Sequence, residues 1–322
     1  MCTAVSFCPK DHYFGRNLDL ERSFNECITI TPRKYPLPFR NGKSIRSHFA
    51  LIGMAVAADN YPLYFEATNE AGLSMAALNF PGNAHYFPQS ENKLNIASYE
   101  LIPYILSKYR SAKEAADAIA KISISNEQFS SAYPASPLHW LLTDRDECFV
   151  IESTKSGLHC YENPIGVLTN NPPFPYHLYN LSNYMALTPE PPVNRQPVSL
   201  SAYSLGLGAF GLPGDMSSGS RFIKAAFTKM HSVCNDQEDC AVAQFFHILG
   251  SVAQQMGCTK LNTGEAEYTI YSSCCNTDKG IYYYKTYYNP QVNSVCMHHE
   301  DLDGNALICY ELNKAFKPFK HN

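Results

Sequence analysis

Short apolar runs of strand character, all but one pair of them joined by turns too brief to hold a crossover, fill residues 2–80 and restrict the fold more than any single motif does. "CTAVSF" and "HYFGRNLDL" flank a Pro9-Lys10-Asp11 turn, and "CITITP" alternates with period two. "FALIGMAVAAD", "PLYFEAT" and "LSMAALNF" are separated by Asp59-Asn60 and by Asn69-Glu70-Ala71-Gly72. Turns of that length join antiparallel neighbours, because a parallel pair needs a dozen or more residues to return. Helical spacing follows: Ser98 opens "SYELIPYILSKY", and Ser111-Ala112-Lys113-Glu114 reads as a capping box ahead of "AKEAADAIAKI". Strands return in "LHWLLTD", "CFVIEST", "LHCYE" and "IGVLT". A second helical stretch covers "YHLYNLSNYMAL", "SRFIKAAFTKMHSV" and "CAVAQFFHILGSVAQQ". The last part is β again, in "AEYTIYSS", "GIYYYKTYY", "VNSVCM" and "ALICYEL". The order β, α, β, α, β, without regular βαβ alternation, predicts an α+β fold of layers with antiparallel sheets.

Two stretches invite misreading. "TPEPPVNRQP", residues 188–197, looks like a linker but lies between helices with strands still to come, so we read it as a surface loop of one domain spanning residues 2–322. Gly206-Leu207-Gly208-Ala209-Phe210-Gly211 matches a dinucleotide fingerprint letter for letter. That site needs a strand before the glycines and a helix N-terminus after them. Here Pro213 and Gly214 force a turn instead, and a flexible loop is the reading.

Charge and cysteine usage narrow the partners. A net charge of −4 with no long basic run argues against nucleic acid or an anionic membrane surface. No apolar stretch approaches the roughly 20 residues that span a bilayer. The N-terminus has no basic region, and its apolar run is broken by Pro9, Lys10 and Asp11, so the expected location is the cytoplasm. There the twelve cysteines are expected as thiols. Cys274-Cys275, Cys234 with Cys240, and Cys296-Met297-His298-His299 lack paired metal-ligand spacing, so no metal is expected.

The chain begins Met1-Cys2. If Met1 is removed, Cys2 becomes a thiol carrying its own α-amine. An α-amine has a pKa near 7.7–8, so about a tenth or more is free base at pH 7 and can accept the thiol proton. A hairpin turning about Lys10 sets residue 2 opposite residue 18, which brings Arg16 and Asp19 within a residue or two of Cys2. Arg16 there would favour the thiolate, and Asp19 would orient the ammonium or Arg16. Their unequal parity sends them to opposite faces of an ideal strand, so we expect a bulge or kink at Gly15 or the strand end.

"MCTAVSF…FGRNLDL", "ALNFPGNA", "GVLTNNPPF" and "GLPGDMSSGSRF", in that order across almost the whole chain, resemble the signature segments of the choloylglycine hydrolase family, in particular its bile salt hydrolases. The resemblance implies a four-layer αββα N-terminal-nucleophile hydrolase with Cys2 as nucleophile, its amine as base, and Arg16 and Asp19 as neighbours. It further implies Asn79 and Asn170 as oxyanion donors, with Asn79 also facing substrate, and Arg221 as a supporting cation. Loops 18–24, 58–65 and 126–137 resemble the variable substrate loops, which makes Leu18, Phe65, Phe129 and Tyr133 candidates for contacting an apolar body. The implied substrate is a glycine- or taurine-conjugated bile salt, with no cofactor and a homotetrameric assembly. Other readings are a penicillin V or other N-acyl amide acylase, acyl transfer to an amine through the same thioester, and an inactive binding relative.

Overall fold

A computed structural model describes residues 1–322. Strands β1 (Cys2–Phe7) and β2 (Tyr13–Leu20) form the opening hairpin, followed by β3 (Cys27–Thr31), β4 (Leu51–Ala58), β5 (Tyr61–Asn69) and β6 (Ser74–Asn79). After helices α1 (Leu101–Lys108) and α2 (Ala112–Ile119) come β7 (Leu138–Thr143), β8 (Cys148–Thr154), β9 (Gly157–Glu162) and the short β10 (Val167–Leu168). Helices α3 (Phe174–Leu181), α4 (Ser218–His231) and α5 (Glu238–Gly250) precede β11 (Ala266–Asn276), β12 (Ile281–Thr286), β13 (Asn293–Cys296) and β14 (Ile308–Glu311).

One sheet runs β10-β1-β2-β11-β12-β13, with Thr259–Lys260 paired to β11; the other runs β9-β8-β7-β6-β5-β4-β3-β14. Every pairing in both is antiparallel, as the short turns require. Helices α4 and α5 pack on the first sheet and α1 and α2 on the second, while β1 and β2 meet β6 across the gap, which makes four layers, αββα. Period-two patterning builds this. In β7 and β6, Leu141 and Leu78 join the core shared with the first sheet, while Trp140, Leu142 and Met75 join the core under α1 and α2.

Local details differ from expectation. A 3-10 turn, Ser98–Glu100, precedes α1, and the Glu100 carboxylate accepts the backbone N–H groups of Ala97 (2.9 Å) and Arg40 (2.7 Å). Ser111 accepts from Glu114 N at 3.3 Å, but Glu114 reaches back to Arg110 N, so only half of the expected box closes on Ser111. Leu94–Ala97 and Ile122–Ser125 pair in parallel, a pairing the sequence reading missed; α1 and α2 lie in the connection between them. Residues 206–211 hold a short 3-10 turn with Gly206 and Gly211 at positive φ and no strand ahead of them, as a loop requires. No helix is long and apolar enough to cross a membrane.

Candidate active site

The hairpin register is the one expected from the turn: Cys2 pairs with Leu18, Ala4 with Arg16 and Phe7 with Tyr13. Of the two places expected for a bulge, Gly15 shows none, and the one found lies near the end of β2. Pairing of β1 with β2 is continuous, and the shift occurs where β2 meets β11, between Leu18–Tyr271 and Asp19–Thr269, with Ile270 as the extra residue. Gly15 is needed for a different reason. A Cβ there would lie 2.0 Å from Ser273 O, so the residue allows close approach of β11.

Directly paired residues share a sheet face, so the Cys2 side chain and Arg16 point the same way, into the space between the sheets. Arg16 is fully buried; its Nη1 donates to Ala77 O (2.5 Å) and Phe65 O (3.2 Å), and Nε lies 3.8 Å from Glu66 Oε2. Its Nη2 has no partner. Burial works against its charge, but Cys2, Tyr271, Glu66 and Asp19 outweigh burial and raise the pKa, so the cation persists. Glu66 is fixed by Tyr271 (2.8 Å), Ser273 (3.0 Å) and Tyr282 (2.5 Å), each donating a hydroxyl, and burial pushes its pKa up. Sequence reading missed Glu66 and its three donors, whose only trace is a polar residue recurring within apolar strands.

Asp19 lies on the opposite face. Its Oδ1 accepts from Thr269 Oγ1 at 2.6 Å, and Oδ2 has no partner. Burial raises its pKa, opposed first by Arg221 and then by the terminal ammonium. Asp19 therefore attends the backbone side of Cys2 and Arg16 attends the thiol side, so no kink is needed to unite them. The Met1 ammonium donates to Asp19 O (2.5 Å) and Glu267 Oε1 (3.0 Å).

Asn170 and Arg221 close the backbone side. Cys2 N donates to Asn170 Oδ1 at 2.8 Å, and Arg221 Nη2 donates to the same oxygen at 2.8 Å. Arg221, in the first turn of α4, also donates through Nη1 to Cys2 O (2.5 Å) and Thr3 Oγ1 (2.7 Å). Asn170 Nδ2 donates to Asn79 O at 2.7 Å, tying β6 to the segment after β10. The half-buried Asn79 carboxamide itself hydrogen-bonds no protein group, which leaves it free for a ligand. Thus Cys2, Arg16, Asp19, Asn79, Asn170 and Arg221 converge on one end of β1.

The apolar candidates divide. Leu18, 2% exposed, can offer only a floor beside Cys2. Phe65 is half-buried and packs on Phe24 with ring centroids 6.3 Å apart, so Phe24 is a wall residue passed over within a loop the sequence did mark. Phe129 and Tyr133 join a separate aromatic group: Phe129 packs on Tyr61 and Tyr99 at 5.7 and 5.4 Å, and Tyr133 on Phe129 at 6.2 Å. Their link to Phe65 runs along β5, which carries both Tyr61 and Phe65. A cleft of about 390 Å³ lined by Ser6, Arg145 and Lys229 lies at the far end of β1, away from Cys2.

Comparison with known proteins gives the family and the fold. The family model for linear amide C–N hydrolases of the choloylglycine hydrolase family matches residues 2–310. A bile salt hydrolase/transferase from Lactiplantibacillus plantarum is 52% identical over 324 residues, covering 100% of both chains. One from Clostridium perfringens is 39% identical over 324 residues and covers 98% of each. The crystal structure of a mutant conjugated bile acid hydrolase from Clostridium perfringens superposes with a TM-score of 0.93 at 37% identity, over 100% of each chain. A penicillin V acylase from Agrobacterium tumefaciens superposes at 0.78 with 17% identity, over 97% of this chain and 92% of that one, a likeness of fold alone.

Proposed function

The chain belongs to the choloylglycine hydrolase family, and from that premise we propose that it hydrolyses the amide bond of glycine- or taurine-conjugated bile salts through an N-terminal cysteine. The observation that carries the reading is the seat of Cys2: backbone nitrogen on Asn170, carbonyl on Arg221, and side chain on the Arg16 face. With Met1 removed, the freed α-amine takes the thiol proton and the thiolate attacks the amide carbonyl. Arg16, buried and charged with Nη2 unpartnered, stabilises the thiolate. The developing oxyanion is met by the Asn79 carboxamide and by Asn170 Nδ2, which carries a second hydrogen beyond the one given to Asn79 O. The ammonium protonates the leaving glycine or taurine nitrogen. A cholyl thioester remains, and water, deprotonated by the same amine, hydrolyses it. Asp19 and Arg221 hold the amine side in place. All acid–base chemistry comes from the chain, so the mechanism calls for no cofactor.

An apolar steroid body suits side-chain walls, at about 25 cal/mol per Å² buried, and we assign that contact to Phe65 and Phe24, with Leu18 beneath and Phe129 and Tyr133 at the outer rim. A second reading, acyl transfer, has two supports: the thioester can be taken by an amine as well as by water, and four relatives carry "hydrolase/transferase" in their names. We place the enzyme in the cytoplasm, as one domain over residues 2–322, and assign a homotetramer. Glycocholate, taurocholate and penicillin V assayed side by side test the substrate. Both bile salts should show much higher kcat/KM than penicillin V, and Asn79→Ala should lower kcat by on the order of a hundredfold without lowering Tm. A clear preference for penicillin V overturns the substrate assignment and spares the nucleophile.

A further inference from the structure

The Asn170 segment is held by a buried polar cluster that the mechanism above does not use. His139 and Glu152 are a directly opposed pair on β7 and β8, both 0% exposed, with Nδ1 3.0 Å from Oε1. His139 Nε2 lies 3.0 Å from Thr169 O, and His177 Nε2, from α3, lies 2.9 Å from Asn170 O. Glu152 Oε1 also accepts Phe174 N–H at 3.0 Å. The two carbonyls can only accept, so each ring carries a proton on Nε2. His177 Nδ1 is then a buried lone pair with no partner, and burial lowers the pKa of that ring, which keeps it neutral. Each ring is fixed by stacking: His139 on Phe80 at 4.3 Å and 5°, His177 on Phe222 at 4.8 Å and 24°.

Such groups are costly to bury, and here His177 Nδ1 and Glu152 Oε2 are left without partners. What these bonds share is one target: residues 169, 170 and 174 are each gripped at the backbone, while Asn170 is left to present Oδ1 to Cys2 N and Nδ2 toward Asn79. We propose that His139, Glu152 and His177 are positioning residues that clamp residues 169–174 and so aim the Asn170 carboxamide at the oxyanion formed on the Cys2-bound carbonyl carbon. The clamp rests on the reading of Cys2 as nucleophile and Asn170 as donor. A donor displaced by about an ångström loses much of its value in the transition state but little in substrate binding, so the clamp acts on kcat.

The test uses the processed full-length enzyme. His177→Phe and His139→Phe keep the stacked rings and remove the donor; His177→Gln and His139→Gln restore an N–H at about the reach of Nε2. Alkylation of Cys2 by iodoacetamide forms no oxyanion and reads the thiol alone. The phenylalanine variants should lose at least tenfold in kcat on glycocholate, with KM within about threefold and alkylation rate within about threefold. The glutamine variants should return to within about threefold of the parent kcat. Unchanged kcat in the phenylalanine variants, glutamine variants as slow as phenylalanine, or a loss that falls on KM or equally on alkylation overturns the clamp. Where a phenylalanine variant does not fold, the glutamine variant decides: kcat within about threefold at whatever cost in Tm sustains the proposal, and a tenfold loss overturns it. If alkylating Cys2 in the parent enzyme leaves activity intact, the nucleophile assignment itself has failed and the clamp falls with it.

Discussion

A thiol at position 2 becomes a useful nucleophile only when its side chain and its main-chain nitrogen are served separately. β-Strand alternation does this, placing Arg16 on the thiol face and Asp19 on the face where Thr269 and Arg221 lie. While Met1 is attached, Cys2 N is an amide without basicity, and the ammonium sits one residue away on Glu267 and Asp19 O. Intact mass of active enzyme should therefore show loss of Met1 and nothing more, and a chain forced to keep Met1 or an N-terminal tag should be inactive. Cys2→Ser should fold with normal Tm yet lose at least about a hundredfold in turnover, since a hydroxyl yields its proton far less readily than a thiol. Serine activity near that of cysteine, or activity with Met1 in place, would refute the amine-as-base mechanism. At this scale the sequence was legible where neighbours in the chain are neighbours in space, as for Cys2, Arg16 and Asp19. Asn79, Asn170 and Arg221 come from distant segments, and only the family resemblance singled them out.

The β1–β2 hairpin was read correctly because a turn fixed at Lys10 sets every pair along it. Of the two positions expected for a bulge the strand end is the one found, but its extra residue, Ile270, lies on the third strand, β11, whose partner cannot be read from the hairpin. Gly15 shows what β11 demands. An added Cβ would meet Ser273 O at 2.0 Å, Ser273 C at 2.6 Å and Cys274 Cα at 2.9 Å, all backbone atoms that cannot swing aside. Gly15→Ala should cost about 3 kcal/mol in urea-unfolding stability and lower activity by shifting Arg16; a loss under about 0.5 kcal/mol would mean that β2 and β11 are not held so close. The half-closed capping box at Ser111 has a similar origin, since Glu114 took the donor its rotamer could reach, Arg110 N.

Two properties belong to the whole molecule. His12 is buried between Ser6 Oγ and Thr277 Oγ1, each 2.8 Å from a ring nitrogen, and burial lowers its pKa to about 4. Between about 6.5 and 4 the unfolded chain binds this proton and the folded one does not, so stability falls as pH drops through that window. Asp19 and Glu66, with raised pKa values, act in the opposite sense, losing stability as pH rises past the ordinary carboxylate range. Comparing the parent with His12→Gln isolates the histidine: the parent should lose on the order of 3 kcal/mol more between pH 7 and pH 4, and equal slopes would refute a buried neutral His12. The second property is assembly. Tyr203, Leu205 and Phe210 are 84, 95 and 79% exposed on the arm that includes the Pro-rich loop, and exposed apolar side chains gathered on one segment mark a candidate interaction surface. We propose that this arm contributes an interface of the homotetramer assigned above: replacing all three with serine should lower the mass in light scattering while Tm is kept, and an unchanged mass would overturn that interface.

Alternation, turn chemistry and composition by themselves determined the class of this protein: antiparallel strands, helices in two groups, and an opening hairpin that sets Cys2 beside Arg16 and Asp19. Those are local properties, set by a period of two or 3.6 and by turns a few residues long, and the sequence states them directly. The tertiary structure alone decided which distant polar groups stand behind the residues around Cys2. Glu66 behind Arg16, Glu267 at the Met1 ammonium, and His139, Glu152 and His177 behind Asn170 are each ordinary in sequence, one polar letter within an apolar strand or helix. Burial makes them matter, because a polar group in a low-dielectric interior must find its partner, and that partner is chosen by packing rather than by position along the chain.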